Sequence, residues 1–182
     1  MSPKRIVVIG PESTGKSTLC IDLANYFQSL WVKEYARQFL LENGTAYTFE
    51  DLYKIARGQI NNEEEGIRLI EALRQTPPAL FIDTDLYVIK VWSEYVFDRC
   101  DNRILSAIAE RKYDGYLLCN TDLPWIKDEL REYPDLSTRE KLFNHYKDLL
   151  VNQHIPWAII RGAGEERIAS AVESVNRMIA AS

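Results

Sequence analysis

Gly10-Pro11-Glu12-Ser13-Thr14-Gly15-Lys16-Ser17 follows directly on the apolar run Ile6-Val7-Val8-Ile9 and opens into a segment with helical spacing. The pattern is G-x-x-x-x-G-K-[ST], the P-loop or Walker A motif. The strand before it and the helix after it make so short a pattern specific. Its glycines let the backbone wrap tightly, so that successive N–H groups converge on phosphate oxygens, and the helix beginning near Lys16 adds the positive end of its dipole. Lys16 brings a mobile charge for the β and γ phosphates of ATP, and Ser17 a hydroxyl for the Mg2+ that ATP carries. Gly10, Glu12, Ser13, Thr14, Gly15, Lys16, Ser17 and Thr18 are the expected ATP-binding residues. The competing reading, a glycine-containing turn with no ligand, is disfavoured by the eight-residue match in this context.

Outward from the loop, Leu19, Leu23, Tyr26, Phe27 and Leu30 predict a helix over 15–29, and Trp31-Val32-Lys33-Glu34 a short second strand. Helices are expected over 35–41 and 49–74, the second opened by Glu50 and Asp51 and stopped by Thr76-Pro77-Pro78. Ala79-Leu80-Phe81-Ile82 is an uninterrupted apolar run ending in Asp83, the signature of a buried parallel strand. Helical patterns return over 86–97 and 102–111. Tyr116 to Cys119 and Trp157 to Ile160 read as the last two strands, and Ile168, Val172, Val175 and Ile179 mark a closing helix. Strands alternating with helices imply a parallel sheet covered on both faces. Gly10, Glu34, Asp83, Asn120 and Arg161 each follow the last apolar residue of a strand, and open α/β sheets bind ligands outside that edge.

Asp83-Thr84-Asp85 places a carboxylate at the end of a buried strand, so Asp83 joins Ser17 as an expected metal residue. Asp85 is expected to reach an acceptor hydroxyl as base, or to cap the helix that follows. Glu34-Tyr35-Ala36-Arg37 pairs a carboxylate with a guanidinium three residues on. The pair is either an exposed ion pair or a means of binding an acceptor hydroxyl and neutralising phosphate charge. The charged stretch after the fourth strand has the makeup of a lid whose arginines, Arg131 above all, close over ATP. Trp125 within it is a candidate to stack on a flat ring, with core filling as the competitor. Trp92 lies in an apolar helical stripe with a weaker ligand role, and Gly162 in a glycine loop suited to the adenine edge.

A chain of 182 residues suits one α/β domain. A net charge of -5 argues against nucleic-acid binding, and no run approaches membrane-spanning length, so the expected partner is a small molecule and the expected location cytoplasmic. A homo-oligomer is left open. Cys20, Cys100 and Cys119 are too dispersed for a disulfide framework or a zinc site and are expected as buried apolar residues, while His145 and His154 are expected at the surface.

The P-loop through Thr18, together with Glu34-Tyr35-Ala36-Arg37, Ile55-Ala56-Arg57-Gly58-Gln59, Asp83-Thr84-Asp85, Lys90-Val91-Trp92, Asp122-Leu123-Pro124-Trp125, Asp128 and Arg131, resembles the ribosylnicotinamide kinase domain of NadR-type proteins over nearly the whole chain. The resemblance implies a nucleoside-kinase-like P-loop fold and transfer of the ATP γ-phosphate to the ribose 5′-hydroxyl of nicotinamide riboside. It implies ATP and Mg2+ as cofactors; with the residues above, the expected catalytic set is Lys16, Glu34, Asp85 and Arg131, the base being either Glu34 or Asp85. Glu34, Asp85, Trp125 and Asp128 are the acceptor-binding residues the resemblance implies, and Tyr35, Arg37 and Trp92 complete the expected acceptor-binding set. The nucleotidyltransferase and DNA-binding activities of that family belong to further domains, so a stand-alone kinase is expected here. A cationic flat ring on a neutral sugar calls for aromatic walls and carboxylates, a requirement that other nucleosides share. A P-loop kinase of another nucleoside or small hydroxyl metabolite and a regulatory P-loop ATPase switch remain the alternatives. The architecture expected is a three-layer α/β P-loop kinase fold over residues 1–182, its five parallel strands in the order 2-3-1-4-5, with a helical lid after the fourth strand at about 122–147.

Overall fold

Alternation along the strands builds a sheet with two buried faces. In β1 (Lys4–Ile9), Ile6 and Val8 enter one core while Val7 and Ile9 enter another, the period of two that a pleated strand imposes. β3 (Ala79–Asp83) repeats this division, with Ala79 and Phe81 on the first face and Leu80 and Ile82 on the second. The computed structural model describes residues 2–75 and 77–181; Met1, Thr76 and Ser182 lie outside the described residues, and with Thr76 one part of the expected helix stop. Among the described residues β2 (Trp31–Val32), β4 (Gly115–Cys119) and β5 (Trp157–Ile160) complete a five-stranded sheet in the order β2-β3-β1-β4-β5, every neighbouring pair parallel. That is the order expected.

α1 (Lys16–Tyr26) and α7 (Gly164–Ala180) cover the first face through Leu19, Leu23, Val172 and Val175. The second face is covered by α3 (Phe49–Glu71), α4 (Leu86–Phe97) and α6 (Leu136–Val151), which bring Ile70, Val91, Leu142, Tyr146 and Leu150 against the strands. α2 (Tyr35–Asn43) and α5 (Asn102–Glu110) pack with α3 and α4 around Phe39, Leu52, Ile55 and Ile104. Each fully buried Ile or Leu contributes about 1.5–3 kcal/mol by leaving water, which is why runs without polar interruption end up as inner strands.

Two departures from the sequence reading bear on the site. β2 ends at Val32, so Lys33 and Glu34 leave the sheet and Glu34 stands at the start of α2. The charged stretch after β4 divides. Asp135 caps α6 by accepting from the Ser137 and Thr138 amides at 3.2 and 2.7 Å, and the inner face of α6 belongs to the core. The expected helical cover therefore splits into a core helix and an irregular segment over residues 120–135 that crosses the P-loop.

Candidate functional site

The P-loop closes on itself at the end of β1. Gly10 has φ +148°, and a Cβ there would lie 2.8 Å from the Cys119 carbonyl of β4, so the loop passes too close to its neighbour for a side chain. The Thr14 hydroxyl donates to the Pro11 carbonyl at 2.7 Å, and Lys16 Nζ donates to the same oxygen at 3.0 Å. Arg167, near the start of α7, holds the loop from behind. It is 5% exposed, with Nη2 donating to the Thr14 carbonyl at 2.7 Å and Nη1 to the Gly162 carbonyl at 3.1 Å. Sequence reasoning missed this residue because an arginine after Glu165-Glu166 on an amphipathic helix reads as a solvated charge.

Ser17 Oγ donates to Asp83 Oδ2 at 2.5 Å. Asp83 is 1% exposed; burial pushes its carboxyl up, and the Lys16 charge opposes this. The two side chains offer a hard, all-oxygen donor pair, which fits Mg2+ bound together with nucleotide phosphates and water. Such a site needs no protein cage, and no group of three or more metal-binding His, Cys, Asp or Glu residues occurs among the described residues.

A cavity of about 780 Å³ opens from the P-loop toward α2 and α4, large enough for a nucleotide's phosphates and a second small molecule. Lys16, Ser17, Glu34, Arg37, Asp83, Trp92, Asp128 and Arg131 all line it. The Glu34 carboxylate has no hydrogen-bond partner among the described residues. Burial pushes it up while the Lys16 and Arg37 charges pull it down. It is a carboxylate lining the cavity with its oxygens uncommitted, within reach of the lysine and guanidinium charges.

Gln59 sets that placement. Its Oε1 accepts from the Tyr35 amide at 2.9 Å and its Nε2 donates to the Thr84 carbonyl at 2.8 Å, so one buried side chain ties the start of α2 to the turn after β3. Sequence reasoning attached no role to Gln59.

Arg37 does not pair with Glu34. It makes two parallel hydrogen bonds to Asp128, at 3.1 and 3.0 Å, joining α2 to the irregular segment. Trp92 lines the cavity and donates its indole N–H to the Tyr47 hydroxyl at 2.8 Å. Tyr95 and Tyr133 meet beside it, ring centres 5.5 Å apart and nearly perpendicular.

Several residues singled out in the sequence stand elsewhere. Asp85 does not line the cavity. It is 1% exposed and accepts from the Tyr87 amide at 3.0 Å and the Tyr116 hydroxyl at 2.8 Å, so it is the cap of α4. Burial raises its carboxyl to about 7 against the Tyr116 hydrogen bond. The reason is local: Thr84, at φ +72°, turns the chain and aims the next side chain at the helix rather than at the cavity. Tyr35 packs its ring against Gly58 of α3, where an added Cβ would come within 2.0 Å of it. Gly162 gives its N–H to Asp122 at 2.8 Å. Trp125 lies outside the cavity lining, its indole N–H on Glu12 Oε1 at 2.9 Å. Cys20 and Cys119 are buried as expected, and Cys100 is half-buried.

A phosphate-binding loop, an acidic strand end beneath its serine and a cavity on the acceptor side, all at the carboxyl edge of a 2-3-1-4-5 parallel sheet, define a P-loop nucleotide-binding protein with the kinase type of fold. The chain belongs to the AAA domain family AAA_28, whose model matches residues 5–167. It is 25% identical over 181 residues to the trifunctional NAD biosynthesis/regulator protein NadR of Salmonella typhimurium, a match covering 97% of this chain and 43% of that protein. The chain thus spans less than half the length of that relative. Among solved structures, a NadR protein in complex with NR superposes with a TM-score of 0.80 at 20% identity, over 98% of this chain and 50% of the other. Thymidylate kinase from Ehrlichia chaffeensis superposes with a TM-score of 0.68 at 12% identity, over 96% of this chain and all of that one. No helix among the described residues is long and apolar enough to cross a membrane.

Proposed function

We propose that this domain is an ATP-dependent kinase that phosphorylates the ribose 5′-hydroxyl of nicotinamide riboside, giving nicotinamide mononucleotide. The observation that carries the reading is the uncommitted Glu34 carboxylate, which shares one cavity with Lys16 and with the aromatic wall of Trp92, Tyr95 and Tyr133. A switch ATPase has no need of a second compartment beside its phosphate loop. A phosphotransferase needs one, with a carboxylate to orient the attacking hydroxyl and accept its proton.

ATP enters with its phosphates on the P-loop amides and Lys16, and Ser17 and Asp83 would hold Mg2+. When bound, the ion offsets charge on the phosphoryl oxygens. Glu34 takes the proton of the acceptor hydroxyl as its oxygen attacks the γ-phosphorus, and ADP departs with the bond to its β-phosphate oxygen broken. Asp85, buried under Tyr116, is not the base. Arg131 places positive charge at the same cavity, the Arg37–Asp128 pair closes its side, and the aromatic wall suits a sugar bearing a flat cationic ring. The similarity to NadR supports the choice of riboside. The segment at 122–135 acts as the cover that excludes water.

The test is a panel of ribosides, thymidine and thymidine monophosphate incubated with ATP and Mg2+, with products identified by mass. A mononucleotide formed from nicotinamide riboside in preference to the others is the expected result. Phosphorylation of a different acceptor would overturn the substrate and keep the class; ATP hydrolysis indifferent to every acceptor would overturn the kinase.

A further inference from the structure

The P-loop residue Glu12, expected among the ATP-binding residues, lines the cavity with the rest of its loop, but its carboxylate is committed to the segment after β4. Its Oε1 accepts from the Trp125 indole N–H at 2.9 Å and the Tyr133 amide at 2.7 Å, and its Oε2 from the Glu132 amide at 2.9 Å. All three donors belong to one nine-residue stretch of the segment after β4. Ser13 works beside it, accepting from the Ile126 amide at 2.9 Å and donating to the Pro124 carbonyl at 3.3 Å. The same stretch presents Asp128, Leu130, Arg131, Glu132 and Tyr133 to the cavity. From Glu132 the connection continues through the Tyr47 hydroxyl, 3.3 Å from Glu132 Oε2, to the Trp92 indole at 2.8 Å. A chain of hydrogen bonds thus runs from the donor loop into the aromatic wall.

We propose that Glu12 is a positioning residue for the phosphoryl acceptor: it fastens the acceptor-facing segment 125–133 to the phosphate loop and takes no part in binding the nucleotide. An irregular segment has neither a helix nor a sheet ladder to satisfy its amides, so side chains order it: Glu12 takes the Glu132 and Tyr133 amides, Ser13 takes the Ile126 amide, and Arg37 holds Asp128. A carboxylate that accepts three hydrogen bonds is a strong anchor, because charge-assisted bonds are shorter and stronger than neutral ones. Phosphate recognition is left to the loop's amides and to Lys16, which carry the opposite sign of charge from Glu12. The proposal rests on the kinase reading above for its acceptor, and on the geometry alone for the clasp.

The experiment compares wild type with Glu12→Ala, Glu12→Gln and Trp125→Phe in three measurements: amide hydrogen exchange over 124–135, affinity for AMP-PNP with Mg2+, and the KM for nicotinamide riboside. In Glu12→Ala the Glu132 and Tyr133 amides are expected to exchange at least about tenfold faster and the riboside KM to rise about tenfold or more, the loss of at least one charge-assisted hydrogen bond. AMP-PNP affinity is expected to stay within about threefold, less than one such bond. Glu12→Gln, which keeps the Oε1 acceptor, and Trp125→Phe, which removes one donor, should fall between; they also carry the test if the alanine variant does not fold. Unchanged exchange at 132 and 133, or AMP-PNP binding weakened as much as the riboside, would overturn the proposal. If the wild type phosphorylates no riboside, that reading alone fails, and exchange with AMP-PNP binding still decides the clasp.

Discussion

Arg37 and Asp128, 91 residues apart in sequence, meet through two parallel hydrogen bonds of 3.1 and 3.0 Å, and this pair joins α2 to the segment that crosses the P-loop. The Arg37 side chain is 47% exposed, so the pair contributes little to folding. Its removal should be felt in the cavity. Asp128→Ala is expected to shift Tm by no more than about 2 °C. The acceptor KM should rise several-fold, read by steady-state kinetics beside a thermal melt. A large fall in Tm with unchanged KM would place the pair's role in stability.

Lys16 rests on the Pro11 carbonyl at 3.0 Å, a contact that substitution would remove at little cost to the fold. Lys16→Ala is therefore expected to keep its melting temperature while kcat falls by about 10²-fold or more, the usual consequence of deleting one preorganised charge at a phosphoryl-transfer site. Turnover at the wild-type rate would refute the loop's role.

As the proposed base, Glu34 has to be ionised, so kcat/KM should rise with pH through the Glu34 titration. Burial places that titration above the ordinary glutamate value of 4.5. Glu34→Gln should lower kcat by about 10²–10⁴-fold and abolish this acid limb. A limb that persists in the variant would belong to another group.

Asp85 couples folding to pH in a direction opposite to the usual carboxylate. Its folded value of about 7 lies above the ordinary 3.8, so between these values the folded chain holds a proton that the unfolded chain has released. This contribution is fully present below about pH 4 and is lost as pH rises to about 7. Asp85→Asn imitates the protonated state and keeps an oxygen for the Tyr87 amide. Relative to wild type, its Tm should improve between about pH 4.5 and 7.5. A difference independent of pH would mean that Asp85 does not titrate in this range.

Glu63 is wholly buried in α3 and takes its counter-charge from Arg111, whose Nη2 lies 2.6 Å away, with the Tyr113 hydroxyl at 2.9 Å. Its other oxygen, Oε1, has no hydrogen-bond partner among the described residues. Arg111→Met would leave a buried carboxylate uncompensated, at a cost of about 3–5 kcal/mol. The double variant Glu63→Leu with Arg111→Met should recover most of that, because a buried ion pair is commonly replaceable by apolar groups of similar size. Urea denaturation of the three proteins distinguishes the cases.

The P-loop, the strands and the parallel sheet were legible in the sequence because each rests on spacing within a few residues: apolar alternation, helical period and a glycine pattern tied to one backbone shape. Asp83 was legible as a carboxylate at a strand end, whereas Glu34 read the same way but stands at the start of α2, two residues past its strand. The tertiary structure separated their fates from that of Asp85, which the left-handed Thr84 turns away from the cavity into a helix cap. Gln59 and Arg167 were illegible. Each acts through a main-chain group far away in sequence, Thr84 for one and Thr14 for the other, and a polar residue on an amphipathic helix gives no local sign of that.

Glu12 draws the division most sharply. By itself the sequence determined that a phosphate-binding loop would stand at the carboxyl edge of a parallel sheet, since eight consecutive residues carry that geometry in their own φ and ψ preferences. Only the tertiary structure decided that Glu12 within the loop would turn to donors 113 to 121 residues further on. Strand order brings those residues together, and hydrogen-bond partners chosen by strand order leave no periodicity in the chain.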